Sequence, residues 1–212
     1  MYFFDLDGTL LDSNGLWSDI DRAFLGRFGV ETVPADYTEY VSHHSFQESA
    51  AFTRTRYGLD LTDEEIMDSW RAMARQAYAE TLELKPDVRE FLERARQAGK
   101  RCAVLSASFS SMCRMALERH GLLSCFEEIY TTEEVGLEKR NPELYHKVGK
   151  LCGLEGKDCI FFEDSPVNCA AAKAAGWQVY GVADPLYTGR EEDFHRACGQ
   201  GHYPFSFRSP LP

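Results

Sequence analysis

No apolar stretch in this chain approaches the roughly 18 residues that a membrane-spanning helix needs, so a transmembrane helix is excluded. Clusters of Lys and Arg are missing too. The 23 Lys+Arg stand against 34 Asp+Glu, a net charge of −11 with pI near 5.0, and such a balance suits neither nucleic acid nor an anionic membrane surface. Seven cysteines (102, 113, 125, 152, 159, 169 and 198) contain no C-x-x-C pair and are odd in number. A disulfide scaffold and a cysteine zinc site are therefore not expected. Most of these cysteines lie in apolar periodic segments, where a reduced thiol behaves as a small hydrophobe, and a reducing cytoplasm is the expected location. The amino terminus has no positive n-region, and Asp5 and Asp7 interrupt its apolar run, so it does not read as a secretory signal. Repeats and low-complexity tracts are also lacking.

What remains is ordinary globular material: 212 residues, 44% hydrophobic and 27% charged. That length suits one large domain, or one domain carrying an insertion. Residues 84–183 alternate in character. Helical spacing appears over Pro86–Ala98, about Ser110–His120, Pro142–Cys152 and Val167–Ala175, each followed by a glycine. Short apolar runs lie at Cys102–Leu105 and Cys159–Phe162, and Glu128–Tyr130 and Val179–Val182 read as further short strands. Continuous apolar runs suit strands covered on both faces. Tyr2-Phe3-Phe4 supplies one more. The alternation predicts an α/β fold with a doubly wound parallel sheet.

Residues 14–83 differ. They hold 13 acidic and 6 basic residues with no lysine. Trp17, Ile20, Phe24 and Phe28 mark one amphipathic helix. Ser45-Phe46-Gln47-Glu48 and Thr62-Asp63-Glu64-Glu65 read as capping boxes opening two more. The expectation is an all-helical insertion, with residues 1–13 and 84–212 forming the α/β core. After Asp184 the tail is poorly periodic, and Tyr203-Pro204-Phe205-Ser206-Phe207 reads as a terminal edge strand. Trp17, Trp70 and Trp177 are expected in the core, and His43-His44 in a solvated loop.

The ends of the strands carry the chemistry. Tyr2-Phe3-Phe4 runs into Asp5-Leu6-Asp7-Gly8-Thr9, Ala103-Val104-Leu105 into Ser106-Ala107-Ser108, and Ile160-Phe161-Phe162 into Glu163-Asp164-Ser165. Ligands of parallel sheets bind outside the carboxyl ends of strands. One crevice would thus hold four carboxylates and a hydroxyl. Like charges about 4 Å apart repel by about 1 to 4 kcal/mol per pair near a protein surface, and a hard divalent cation, Mg²⁺ above all, relieves that conflict. Any single strand end of this kind also reads as a local cap or turn, as Asp12-Ser13 and Ser165-Pro166 do.

The run Asp5-Leu6-Asp7-Gly8-Thr9-Leu10-Leu11-Asp12-Ser13 resembles the first motif of the haloacid dehalogenase (HAD) superfamily, D-x-D-G-T-L-x-D-S. Ser106, Lys139 and Glu163-Asp164 fall in order at its second, third and fourth motifs. The insertion resembles the small helical cap of the phosphoglycolate phosphatase and β-phosphoglucomutase branch. This resemblance implies a Mg²⁺-dependent phosphatase acting on a small phosphorylated metabolite, with Asp5 as nucleophile and Asp7 as general acid and base. It also implies Asp5, the Asp7 carbonyl and Asp164 as metal ligands with support from Glu163, and Ser106 and Lys139 as phosphate-binding groups. The third motif departs from K-P-x-P, reading Lys139-Arg140-Asn141-Pro142, which leaves Arg140 and Lys157 as alternatives to Lys139. A phosphomutase of the β-phosphoglucomutase type is the rival within the family, and a non-catalytic phosphate-binding protein the rival outside it. Dehalogenases of the family lack the second aspartate of the first motif, and its phosphonatases use a cap lysine; this chain keeps Asp7 and has no lysine in the insertion.

Overall fold

The computed structural model describes every residue except Asn14 and Ser45, and every side chain of its helices and strands except those of Ser42 and His43. The chain divides into two compact units: Met1–Asn14 with Leu82–Pro212, and Gly15–Thr81.

In the first unit, β1 (Tyr2–Phe4), β4 (Cys102–Ser106), β5 (Glu128–Thr131), β6 (Ile160–Glu163) and β7 (Gln178–Gly181) form one parallel sheet in the order β5-β4-β1-β6-β7. β1 is central: Phe3 is level with Ala103 on one side and Phe161 on the other. All three of its residues are buried, which is why the segment is apolar without alternation. Helices α5 (Val88–Gln97), α6 (Ser110–Arg119), α7 (Thr132–Val135), α8 (Pro142–Leu151), α9 (Pro166–Ala174) and α10 (Glu191–Cys198) complete the unit. α5 shows the logic of packing, since Val88, Phe91, Leu92 and Ala95 recur at helical spacing and are its buried residues. Phe91 meets Phe4 and Phe162 edge-on, and those two rings stack 4.7 Å apart at 9°. Each such ring contributes about 1.5 to 3 kcal/mol of burial. A separate two-stranded ribbon joins β2 (Leu11–Asp12) to β3 (Glu83–Leu84), antiparallel.

The second unit holds α1 (Leu16–Gly26), α2 (Ala35–His43), α3 (Phe46–Tyr57) and α4 (Asp63–Glu80). Thr62 and Glu65 form the reciprocal capping box at the start of α4; the one expected at Ser45 lies outside the described residues, as does the His43 side chain. Trp70 and Trp177 are buried, but Trp17 is 53% exposed. The buried stripe of α1 is Leu16, Ile20 and Phe24, and Trp17 on its flank leans only edge-on against Phe46. Phe28 lies past the end of α1 and is half-exposed. His44 is exposed and stacks on Tyr40.

The tail also departs from expectation. Tyr203–Phe207 forms no strand; a single bridge joins Phe205 to Val182. Instead α10 closes the unit, burying Phe194, Ala197 and Cys198 behind an acidic first turn. Asp12, read as a cap or turn, sits in β2.

One buried acid organises the helical unit. Thr53 donates to the Ser49 carbonyl at 2.7 Å, and its Oγ1 lies 2.9 Å from the Tyr37 hydroxyl. The Tyr37 hydroxyl donates to Asp21 Oδ1 at 3.3 Å. Burial pushes the Asp21 carboxyl up to about 6 from 3.8. Between these values the folded chain binds more protons than the unfolded one, so this contribution to stability is lost as pH rises from about 4 to 6. Asp21→Asn removes the buried charge and keeps an oxygen that accepts from Tyr37. It should unfold with wild type at pH 4 and be more stable by about 1 to 3 kcal/mol at pH 8, read from paired melting curves.

Candidate active site

Because β1 lies between β4 and β6, Asp5, Ser106 and Glu163 emerge side by side at the carboxyl edge of the sheet. The Asp5 amide donates to the Phe162 carbonyl at 2.9 Å, extending the ladder to the first carboxylate. Asp5, Glu163 and Asp164 are all buried, and each offers an oxygen within 4.8 Å of the others. Lys139 enters from the segment before α8 and reaches two of them, 2.6 Å to Asp5 Oδ1 and 2.8 Å to Glu163 Oε2. The second oxygen of Glu163 accepts from the Ser165 amide at 3.0 Å.

The Lys-Arg-Asn-Pro departure leaves Lys139 firmly placed. Asn141 caps α8 by accepting from the Glu143 amide, Pro142 opens that helix, and the Tyr145 hydroxyl donates to the Lys139 carbonyl at 2.8 Å. Arg140 and Lys157 are instead exposed and paired with their neighbours Glu138 and Glu155.

Three carboxylates and one ammonium leave a formal surplus of two negative charges. Burial, reinforced by Glu163, pushes the Asp5 carboxyl up to about 7 against the pull of Lys139. Burial, then Glu163 and Asp5, pushes Asp164 up to about 10. Burial opposes the charge on Lys139, yet Asp5 and Glu163 hold its ammonium well above the ordinary range. Either protons or a divalent cation can fill the deficit. The donor set fits a hard cation: carboxylate oxygens from three residues, all within 4.8 Å of one another.

The loop from Asp5 to Leu11 supports this cluster. Thr9 Oγ1 donates to Asp164 Oδ1 at 3.2 Å. Gly8 adopts φ +77°, and a Cβ there would stand 2.4 Å from Asp164 Oδ2; only glycine admits both the turn and that approach. Asp7, half-buried, bridges to Leu11, and the Gly8 amide is shared between the Leu11 carbonyl and Ser13 Oγ. Ser106 is buried, accepts from the Ser108 amide, and hydrogen-bonds to Cys113; its hydroxyl makes no hydrogen bond to Asp5 or Lys139. Sequence reasoning assigned no role to Thr9, Gly8 or Tyr145. The first two stand inside the Asp-Gly-Thr run, so their signal was present, whereas Tyr145 reads as another apolar position of α8.

A family model for haloacid dehalogenase-like hydrolases matches residues 1–176. The chain belongs to that family. Among relatives of this hydrolase, protein CbbY of Rhodobacter capsulatus is 28% identical over 208 residues, covering 92% of this chain and 88% of that protein. Hexitol phosphatase B of Escherichia coli K12 is 25% identical over 182 residues, covering 81% and 78%. A Thermotoga maritima crystal structure described as a "putative beta-phosphoglucomutase" superimposes with TM-score 0.81 at 23% identity, over 94% of this chain and 91% of that one, which shows the shared HAD fold.

The approach of Gly8 to Asp164 yields a test. Gly8→Ala should displace the Asp164 carboxylate and abolish divalent-cation binding in calorimetry, with folding destabilised by about 1 to 3 kcal/mol. Wild-type cation affinity in this variant would show that the close approach is dispensable.

Proposed function

We propose that this HAD hydrolase is a Mg²⁺-dependent phosphatase that hydrolyses a small phosphomonoester through an aspartyl phosphate on Asp5. The observation that carries the reading is the buried trio Asp5, Glu163 and Asp164, in which one lysine pairs with Asp5 and Glu163, an arrangement short of positive charge where a phosphate must bind. Asp5, Asp164 and the Asp7 carbonyl would hold the cation, with Glu163 behind them. When bound, Mg²⁺ cancels the surplus negative charge, keeping Asp5 ionised in the presence of an anionic phosphate.

Phosphate monoesters hydrolyse extremely slowly unaided, and a carboxylate nucleophile divides the reaction into two easier steps. Asp5 attacks phosphorus, forming its O–P bond as the bond to the leaving alkoxide breaks; Asp7 delivers a proton to that alkoxide. Asp7 then takes a proton from water, which attacks the phosphorus of the acyl phosphate and restores the Asp5 carboxylate with release of inorganic phosphate. Ser106 would donate to a phosphoryl oxygen and Lys139 would balance its charge. The helical unit, Gly15–Thr81, is read as the cap whose side chains select the leaving group. No described helix is long and apolar enough to cross a membrane, and a phosphorylated metabolite in the cytoplasm is the substrate class proposed. The phosphatase names among its relatives support this reading.

The test is a panel of sugar, nucleotide and small-acid phosphates assayed for inorganic phosphate. Activity should require Mg²⁺ and vanish in Asp164→Ala and Asp5→Asn; full activity in excess chelator would sink the metal-assisted scheme. Asp7→Asn loses proton transfer, a step worth about 10² to 10⁴-fold. With an activated aryl phosphate it should therefore accumulate a species heavier by one phosphoryl group, on Asp5. Isomerised sugar phosphate with little free phosphate would decide for a mutase.

A further inference from the structure

The first unit contains a second buried ion pair, away from the carboxylate trio. Lys85 Nζ lies 2.7 Å from Asp184 Oδ2, with side chains 10% and 1% exposed. Lys85 also donates to the Ala183 carbonyl at 2.9 Å, and Asp184 Oδ1 accepts from the Leu186 amide at 3.0 Å. Buried ion pairs add little net stability relative to apolar side chains of the same shape. What this pair does contribute is a fixed geometry between two chain segments.

Those segments matter. Lys85 directly follows β3, and its amide donates to the Leu10 carbonyl at 2.9 Å, extending the ribbon in which Leu11 pairs with Leu84 and Asp12 with Glu83. The other edge of that ribbon holds the catalytic loop, through the Asp7–Leu11 bridge and the Gly8 amide on the Leu11 carbonyl. At the far end, Asp184 follows β7, where the Val182 amide donates to the Glu163 carbonyl at 2.9 Å. A series of contacts results, running from Asp7 through Leu11, the ribbon, Lys85, Asp184 and Val182 to Glu163. The Lys85–Ala183 and Thr9–Asp164 hydrogen bonds lie beside the Lys85–Asp184 pair in joining these segments.

We propose that Lys85 and Asp184 are positioning residues that clamp the β2–β3 ribbon to the β7 edge and thereby hold Asp7 at its proton-transfer position. The inference rests on the assignment of Asp7 as general acid and base. Misplacement by about 1 Å through a change away from the reacting atoms costs up to about 10²-fold in rate. The loss should appear only where Asp7 is needed. An alkyl phosphate requires protonation of its leaving group, whereas p-nitrophenyl phosphate requires little.

The experiment compares kcat and KM for both substrates in wild type, Lys85→Met, Asp184→Asn, Lys85→Arg and Asp7→Asn. Lys85→Met and Asp184→Asn should each lower kcat for the alkyl phosphate by about 10-fold or more and for p-nitrophenyl phosphate by less than about 3-fold, at nearly constant KM. Lys85→Arg, which keeps the charge, should recover most of the loss. Equal losses on the two substrates, or none, overturn the proposal. Should Lys85→Met fail to fold, Asp184→Asn decides alone, because it retains an acceptor for the Leu186 amide. Hydrogen exchange on cation-free protein gives a readout independent of turnover. Amides of Gly8 and Lys85 should exchange at least about 10-fold faster in both variants while those of β1 and β6 do not change; unchanged exchange at Gly8 and Lys85 overturns the clamp. If Asp7→Asn shows no dependence on leaving group, the assignment of Asp7 fails, and the exchange data alone judge the clamp.

Discussion

The pairing of Lys139 with Asp5 and Glu163 is the contact on which the first unit is arranged. A parallel sheet brings its strand ends together, and here two of them end in carboxylates. Removing water from such a group is tolerable only when opposite charge is fixed nearby. Lys139 satisfies part of that demand, and the Asn141 cap, Pro142 and Tyr145 exist at the head of α8 in a geometry that keeps the ammonium there. The remaining deficit makes the site receptive to a divalent cation.

The two units settle buried acidity in different ways. In the α/β unit a lysine compensates the carboxylates, so the cluster keeps its ionic character. In the helical unit Asp21 has no cation among its described partners and accepts from the Tyr37 hydroxyl, which lies beside Thr53. Below about pH 6 a proton does there what Lys139 does in the other unit. The first solution preserves charge for chemistry, while the second leaves the helical interior neutral only in acid.

Much of this was legible in the sequence. Continuous apolar runs mark the strands because a central parallel strand is covered on both faces, and each predicted strand from Tyr2 to Gly181 lies within about a residue or two of its place. The carboxylates could be read because they follow those runs directly. Short-range patterns fail where burial is not periodic: Tyr37 is the one fully buried residue among the described side chains of α2, and Phe205 packs its ring on Phe162 and Tyr180 without forming a strand. α10 was overlooked although Phe194, Ala197 and Cys198 recur at helical spacing, because its length of 8 residues offers only two turns of signal. Trp17 misled for another reason. A large apolar ring predicts burial on average, but its place on a helix decides which solvent it meets. Pairings across long separations, Lys85 with Asp184 or Thr9 with Asp164, leave no periodic trace at all.

The central position of β1 also bears on how the chain reaches this fold. Its neighbours in the sheet begin at Cys102 and Ile160, so the apolar segment Tyr2-Phe3-Phe4 emerges from the ribosome about 100 residues before anything can pair with it. At typical elongation rates that interval is about 5 to 20 seconds. During it, the helical unit has been made in full and can fold on local contacts, while the segment that will become the middle of the sheet stays open to solvent and to any passing strand edge. Synthesis of this enzyme therefore includes a period of dependence on chaperones or on dilution, set by topology and not by the stability of the finished molecule.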